Sequence, residues 1–202
     1  MGRVTLKSTR ENARIQLILM ESLQTFGWQG KWEIHDDSIH IESDIGVSLE
    51  EYIRDTLLDY ADGLRLALCL GEQLAALADS QKHNGEKYGV LFFNMKDITV
   101  VNKEFYLITN LSKVLPITDE NQLVLQQPID FNGFLAPELV GANTLPLEVT
   151  PSCAYYSLAL LCLKALELDF DDGMDRLNGS KFFYMLQRCL EKNPKNRIFI
   201  YI

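Results

Sequence analysis

A chain of 202 residues with a formal net charge of −9 and a pI near 4.8 is a poor match to a general nucleic-acid or anionic-membrane binder, since both need a basic surface. Its 47% hydrophobic and 23% charged content is ordinary globular composition, enough to bury a real core. The longest apolar run, Tyr155 to Ala165, contains Ser157 and Lys164 and is too short to span a bilayer.

Four cysteines (Cys69, Cys153, Cys162, Cys189) are scattered without metal-ligand spacing, and Cys69, Cys162 and Cys189 sit in apolar helical patterns that suit small buried thiols. The three histidines, His35, His40 and His83, lie far apart and near no cysteine, so no metal site is expected. Met1-Gly2-Arg3 leads straight into Val4-Thr5-Leu6-Lys7 without a signal-peptide core, so a soluble cytoplasmic protein is expected. A secretory-pathway lumen is the alternative if the chain is a fragment, and only there would the sequons at Asn110 and Asn178 matter. No repeat or linker divides residues 1–202, which read as one unit.

In chain order, Val4–Lys7 reads as a short strand. Glu11 to Phe26 carries Ile15, Leu19, Leu23 and Phe26 at helical spacing, with Thr9 as its cap. Gly27-Trp28-Gln29-Gly30 breaks that helix, and two short strands, Lys31–Ile34 and Ser38–Ile41, flank an Asp36-Asp37 turn. Ser48-Leu49-Glu50-Glu51 is a capping-box pattern that opens a helix to about Asp59. Asp62–Ser80 is a second helix with a broad apolar face.

Phe92–Val101 and Phe105–Ser112 then read as two β-rich runs joined by a polar turn, Asn102-Lys103-Glu104. Pro116 to Thr150, with three internal prolines (Pro128, Pro137, Pro146), is an irregular stretch long enough to be functional or packed by its own side chains. Ser152–Leu168 is apolar nearly all round and reads as the central buried helix. Lys181–Lys192 is a last amphipathic helix ended by Asn193-Pro194. This order is α+β.

The residues of these segments, taken in order, resemble the eukaryotic protein-kinase fold. Ile41–Asp44 and Gly46–Ile53 resemble the interlobe hinge and the helix after it. Phe92-Phe93-Asn94 stands where H-R-D is found, with Lys96 at the lysine and Thr99 at the asparagine of that loop. Asn110-Leu111-Ser112 falls at D-F-G after a shortened hairpin, and Ala136-Pro137-Glu138 is an intact A-P-E. Ala154–Ala159 is similar to the D-V-Y-S-L-G helix start with its aspartate lost, and Arg188–Arg197 resembles the closing C-L-x-x-D-P-x-x-R.

The resemblance implies a kinase-like domain with a truncated N-lobe, residues 1–45 (few strands and one helix), and a mostly helical C-lobe, residues 46–202. It also implies a degenerate one. Phosphoryl transfer needs an aspartate base and metal ions held by a second aspartate and an asparagine. Asn94 has no useful basicity near pH 7, Asn110 offers a neutral carbonyl where an anion is expected, and Thr99 is a poorer ligand than asparagine. Only three residues precede Val4, so a glycine-rich phosphate loop is not expected. Lys7 is matched to the phosphate-pairing lysine and Glu21 to its partner, against the plain reading of both as surface charges.

Neither ATP nor magnesium is therefore expected to bind. Glu138 and Arg197 match the buried pair that ties this family's activation segment to the end of the C-lobe, and Lys96 reads as a solvated turn lysine. The function implied is a pseudokinase that binds a protein partner through Pro116–Thr150. One alternative is a divergent active kinase of the secretory-pathway type, acting on protein or glycan, to which Ile108–Pro116 has some likeness. The other is the kinase non-catalytic C-lobe module of actin-nucleating proteins, which lacks the N-terminal strands.

Overall fold

The computed structural model describes residues 2–7, 10–35, 38–43, 46–79, 85–142, 144–169 and 173–201; at residues 2–7, 10, 11, 34, 35 and 38 the description is of the backbone alone. Thr9, the Asp36-Asp37 turn and His83 lie outside the described residues.

The chain is α+β, with small antiparallel sheets. β1 (Gly2–Lys7), β2 (Trp32–His35) and β3 (Ser38–Ser43) form a sheet in the order β1-β3-β2, Lys7 pairing with Ser38 at one end and Gly2 with Ser43 at the other. Between β1 and β2 runs α1 (Arg10–Thr25), whose Ile15, Ile18, Leu19 and Leu23 are buried on one face. α1 ends in a Schellman turn: Gly27 has φ +116°, its N–H reaches the Gln24 carbonyl (3.0 Å), and the Trp28 N–H reaches that of Leu23 (3.0 Å). Trp28 and Leu23, at the two positions where this turn favours apolar residues, are both buried.

β4 (Gly46–Ser48) leads into α2 (Leu49–Asp55) through the expected capping box. The Glu51 N–H donates to Ser48 Oγ (3.2 Å) and the Ser48 N–H to Glu51 Oε2 (3.1 Å). α2 stops at Asp55, not near Asp59, and α3 (Tyr60–Ala78) starts earlier than Asp62. The cause is a second reciprocal cap: Asp59 Oδ1 accepts the Asp62 N–H (2.9 Å) while Asp62 Oδ2 accepts that of Asp59 (3.1 Å). α1 packs against α3. The ring of Phe199 lies against Gly71 of α3, where a Cβ would sit 2.2 Å from the ring, so this approach requires glycine.

β5 (Tyr88–Val90) and β6 (Ile98–Val101) follow. β6 pairs with β4 on one side and with β7 (Phe105–Ile108) on the other, the hairpin turning at Asn102 (φ 51°) and Lys103 (φ 65°). The hairpin is thus shorter than the two expected runs. Phe92–Asp97 is not strand, because Asn94 caps a single 3₁₀ turn, Met95–Asp97, directly before β6. The outer edge of β7 is satisfied by the fully buried Gln73 of α3, whose Nε2 donates to the Tyr106 carbonyl (2.6 Å) and whose Oε1 accepts the Ile108 N–H (3.0 Å).

β8 (Val114–Pro116) pairs with β5. The stretch expected to be irregular contains β9 (Leu123–Leu125), the short α4 (Pro137–Val140) and β10 (Leu147–Val149), with β9 and β10 antiparallel. Leu91, Phe92, Leu123, Leu125, Leu139 and Val149 form a second hydrophobic cluster beneath it, so the segment is packed by its own side chains. The main core runs continuously from α1 through α3 to α5 (Cys153–Ala165) and α6 (Lys181–Cys189). Among the described residues no helix is long and apolar enough to cross a membrane.

Candidate functional site

The segment Leu91–Asp97 is held from two sides. The Phe93 N–H donates to Ser157 Oγ on α5 (2.7 Å), and the Phe93 carbonyl accepts the Phe134 N–H (2.9 Å). Ser157 is wholly buried and stands one turn after the buried Ala154. The Ser157 hydroxyl fixes the loop backbone to the central helix.

Asp97 is the node of the site. Its carboxylate accepts three donors: the Asn94 N–H (2.8 Å), Asn110 Nδ2 (2.7 Å) and Lys113 Nζ (2.5 Å). Its backbone carbonyl accepts the Thr109 N–H (2.8 Å) and the Thr109 hydroxyl (3.2 Å). Both partners of the ion pair are buried, with 6% of the Asp97 side chain and 11% of the Lys113 side chain exposed. The Lys113 ammonium also lies 4.4 Å from the centre of the Phe92 ring, a cation–π contact that adds to its compensation. A buried carboxylate needs such compensation, because losing one partner of a buried pair costs roughly 3–5 kcal/mol.

Of the candidate residues, Asn94 and Asn110 meet at this node, and their side chains are otherwise engaged in the two turns. Asn94 Oδ1 accepts the Lys96 N–H (3.1 Å) and its Nδ2 donates to the Asn132 carbonyl (2.9 Å). Asn110 Oδ1 accepts both the N–H (3.1 Å) and the hydroxyl (2.8 Å) of Ser112, capping a second 3₁₀ turn, Leu111–Lys113. The hydroxyl of Thr99 faces Thr109 Oγ1 at 3.0 Å, so it meets the residue before Asn110 and not Asn110 itself. Lys96 points to solvent, 67% exposed, with Glu50 of α2 at 3.9 Å. Glu21 is exposed on α1, and Lys7 ends β1, its side chain lying outside the described residues.

The second pair, Glu138 and Arg197, is brought together. Arg197 donates from Nη1 to Glu138 Oε1 (2.5 Å) and from Nη2 to Oε2 (2.8 Å), a bidentate fork. The same guanidinium donates to the carbonyls of Glu191 (2.7 Å) and Lys192 (3.1 Å) and lies over the Tyr156 ring at 4.9 Å. This clasp ties α4 to the segment following α6.

All four thiols are buried. Burial pushes Cys69, Cys153 and Cys189 up to about 12 and Cys162 higher still, so none is a poised nucleophile near neutrality. Among the described residues no group of three or more metal-ligating side chains is assembled.

Sequence reasoning missed Asp97 and Lys113. A signal was present: Asn94-x-x-Asp97 is a reciprocal capping pattern, and Lys113 stands in the apolar run Leu111–Leu115 with no evident solvent face. Neither protein-family models nor curated proteins give a match to this chain.

Proposed function

We propose that the chain is a degenerate member of the protein-kinase-like superfamily, a pseudokinase that works by binding a protein partner. The observation that carries this is the commitment of Asp97. It is the one carboxylate on the two turns 92–97 and 108–113, and Lys113, Asn94 and Asn110 already occupy it. Phosphoryl transfer asks for a base free to orient a hydroxyl and for anionic oxygens free to hold magnesium. The carboxamides of Asn94 and Asn110 are spent on turn geometry, and both are neutral. The order of elements, a small sheet with one helix followed by a mainly helical remainder, supports the kinase-like reading, as do the Glu138–Arg197 clasp and the α5 anchor at Ser157. The β1-β3-β2 sheet with α1 also favours a chain that has an N-lobe over the C-lobe-only module of actin-nucleating proteins.

The test is a thermal-shift titration with ATP and magnesium. No shift is expected at millimolar nucleotide. A ligand with a Kd of tens of micromolar would at that concentration add roughly 2–3 kcal/mol, a rise of several degrees, and would overturn the reading.

A further inference from the structure

α6 is entered through a tight turn. A 3₁₀ turn, Met174–Leu177, ends at Asn178, and the Ser180 N–H then donates to the Leu177 carbonyl (3.0 Å). With Asn178 at φ −51° and ψ 137° and Gly179 at φ +79°, residues 177–180 form a type II turn. The third position of such a turn needs a positive φ, which is why glycine stands at 179. Ser180 then caps α6, its Oγ accepting the Phe183 N–H (3.0 Å). Phe182 beside it is fully buried and meets Tyr60 edge-on, with ring centres 5.7 Å apart.

The turn's need for glycine puts an Asn-Gly step on the surface. Asn178 and Gly179 are both exposed, and a Cβ at 179 would meet nothing within 4 Å. The peptide joining them is the central one of the turn, so it takes no part in the turn's own hydrogen bond. Among the described residues neither that peptide nor the Asn178 carboxamide makes any other. A second step, Asn132–Gly133, is the opposite case. Its peptide carbonyl accepts Asn94 Nδ2 (2.9 Å), and the next N–H, of Phe134, donates to the Phe93 carbonyl (2.9 Å). A Cβ at Gly133 would lie 2.6 Å from that Phe93 oxygen and 2.7 Å from the Phe92 ring. This peptide is clamped. In the third step, Asn84–Gly85, the asparagine lies outside the described residues.

From this contrast we propose that Asn178 is a spontaneous modification site, which deamidates through a cyclic imide and whose isoaspartyl product loosens the start of α6. A base in solution removes the Gly179 amide proton as that nitrogen attacks Asn178 Cγ. The N–Cγ bond forms, and the carboxamide nitrogen leaves as ammonia. Water then opens the imide. Cleavage at Cγ leaves aspartate; cleavage at the main-chain carbonyl leaves isoaspartate, whose backbone runs through Cβ and is one carbon longer. Nothing is oxidised or reduced, and water is the only co-reactant. Attack requires the joining peptide to rotate, which the turn permits at 178 and the hydrogen bonds hold back at 132. The extra carbon falls between Leu177 and Ser180, so it breaks the bond that seats the α6 cap. The aspartate product keeps the turn and adds a negative charge just before α6, where the helix dipole favours it.

The test follows peptide mass maps of the full chain over time at mildly basic pH, native and in urea, until the urea sample has reacted at both steps. In the native chain the gain of one mass unit is expected at Asn178 about tenfold or more faster than at Asn132, and the two rates converge in urea. An isoaspartyl methyltransferase, used as a reagent, should label the native product on the peptide carrying residue 178. The isoaspartyl form, separated by chromatography, should melt below both the unmodified chain and Asn178→Asp. Equal native rates at the two asparagines, or reaction at Asn178 in urea alone, overturns the site. An isoaspartyl form that melts with Asn178→Asp overturns its effect on α6.

Discussion

Among the described residues two ion pairs are buried or largely so, and they are built from opposite chemistry. At Glu138–Arg197 a planar guanidinium satisfies both carboxylate oxygens and two backbone carbonyls at once, joining α4 to the chain end 59 residues away. At Asp97–Lys113 a point-charge ammonium meets one oxygen, and the remaining carboxylate capacity is filled by a backbone N–H and an asparagine amide. In the first pair the cation organises the site; in the second the anion does. The first is a long-range clasp that a motif announces. The second is a local knot that turns a loop expected to resemble a reactive one into a fixed shape.

The sharpest way to break the comparison is to remove one cation at a time. Arg197→Met and Lys113→Met should each lower stability by roughly 3–5 kcal/mol in urea unfolding, because each leaves a buried or half-buried carboxylate uncompensated. They should differ in rescue. Adding Asp97→Asn to Lys113→Met should recover part of the loss, since the carboxylate is then gone and the two losses are coupled. Arg197→Lys should recover little, because an ammonium cannot span two oxygens and two carbonyls.

Ser157→Ala comes next. It strips the acceptor from the buried Phe93 N–H and should cost about 1–3 kcal/mol. Ser157→Thr, which keeps the hydroxyl, should cost less if its methyl is tolerated.

The buried thiols give a pH dependence with a definite sign. Their folded-state pKa values lie near or above 12 against an ordinary 9.0, so the unfolded chain ionises first as pH rises. The thiols' contribution to stability is complete below pH 9 and is lost progressively from pH 9 towards 12. The melting temperature should therefore fall across that interval, and Tyr106, raised by its own burial, adds to the same trend above pH 10. In the same experiment, Ellman's reagent at pH 8 should label none of the four thiols in the folded chain and all four in guanidinium.

The smallest effect belongs to Lys96→Ala. Its side chain is 67% exposed and its contact with Glu50 is 3.9 Å, so stability should change by less than about 0.5 kcal/mol. A large loss there would mean that the knot extends to the solvent side of the loop.

Much of the fold was legible in the sequence because its signals are local. Ser48 and Glu51 announce the start of α2, and the apolar spacing of Ile15, Leu19 and Leu23 announces α1. β9 and β10 were not legible. Leu123–Leu125 and Leu147–Val149 are three-residue strands separated by 21 residues, too short to show a period. The end of α2 was missed because Asp59 was placed at the close of one helix and Asp62 at the start of the next, when as a pair they cap the start of α3. At the site, Glu138 and Arg197 stood out by motif, but the partner of Asp97 lies 16 residues on with nothing in the intervening sequence to link them. The sequence resemblance sets Asn94 and Asn110 against reactive carboxylates. What the structure places beside Asn94, a carboxylate three residues along turned inward onto a lysine, is a property of the packed loop.

The most direct measurement is the ¹H–¹⁵N NMR signal of the Lys113 ammonium, assigned by comparison with Lys113→Met. If the account holds, the signal is slowed in solvent exchange at neutral pH by its bond to Asp97, and millimolar magnesium and ATP leave it unmoved. A saturable shift or loss of that signal on adding nucleotide would show Asp97 and Lys113 released to a ligand, and would contradict the claim that these turns are kept for their shape.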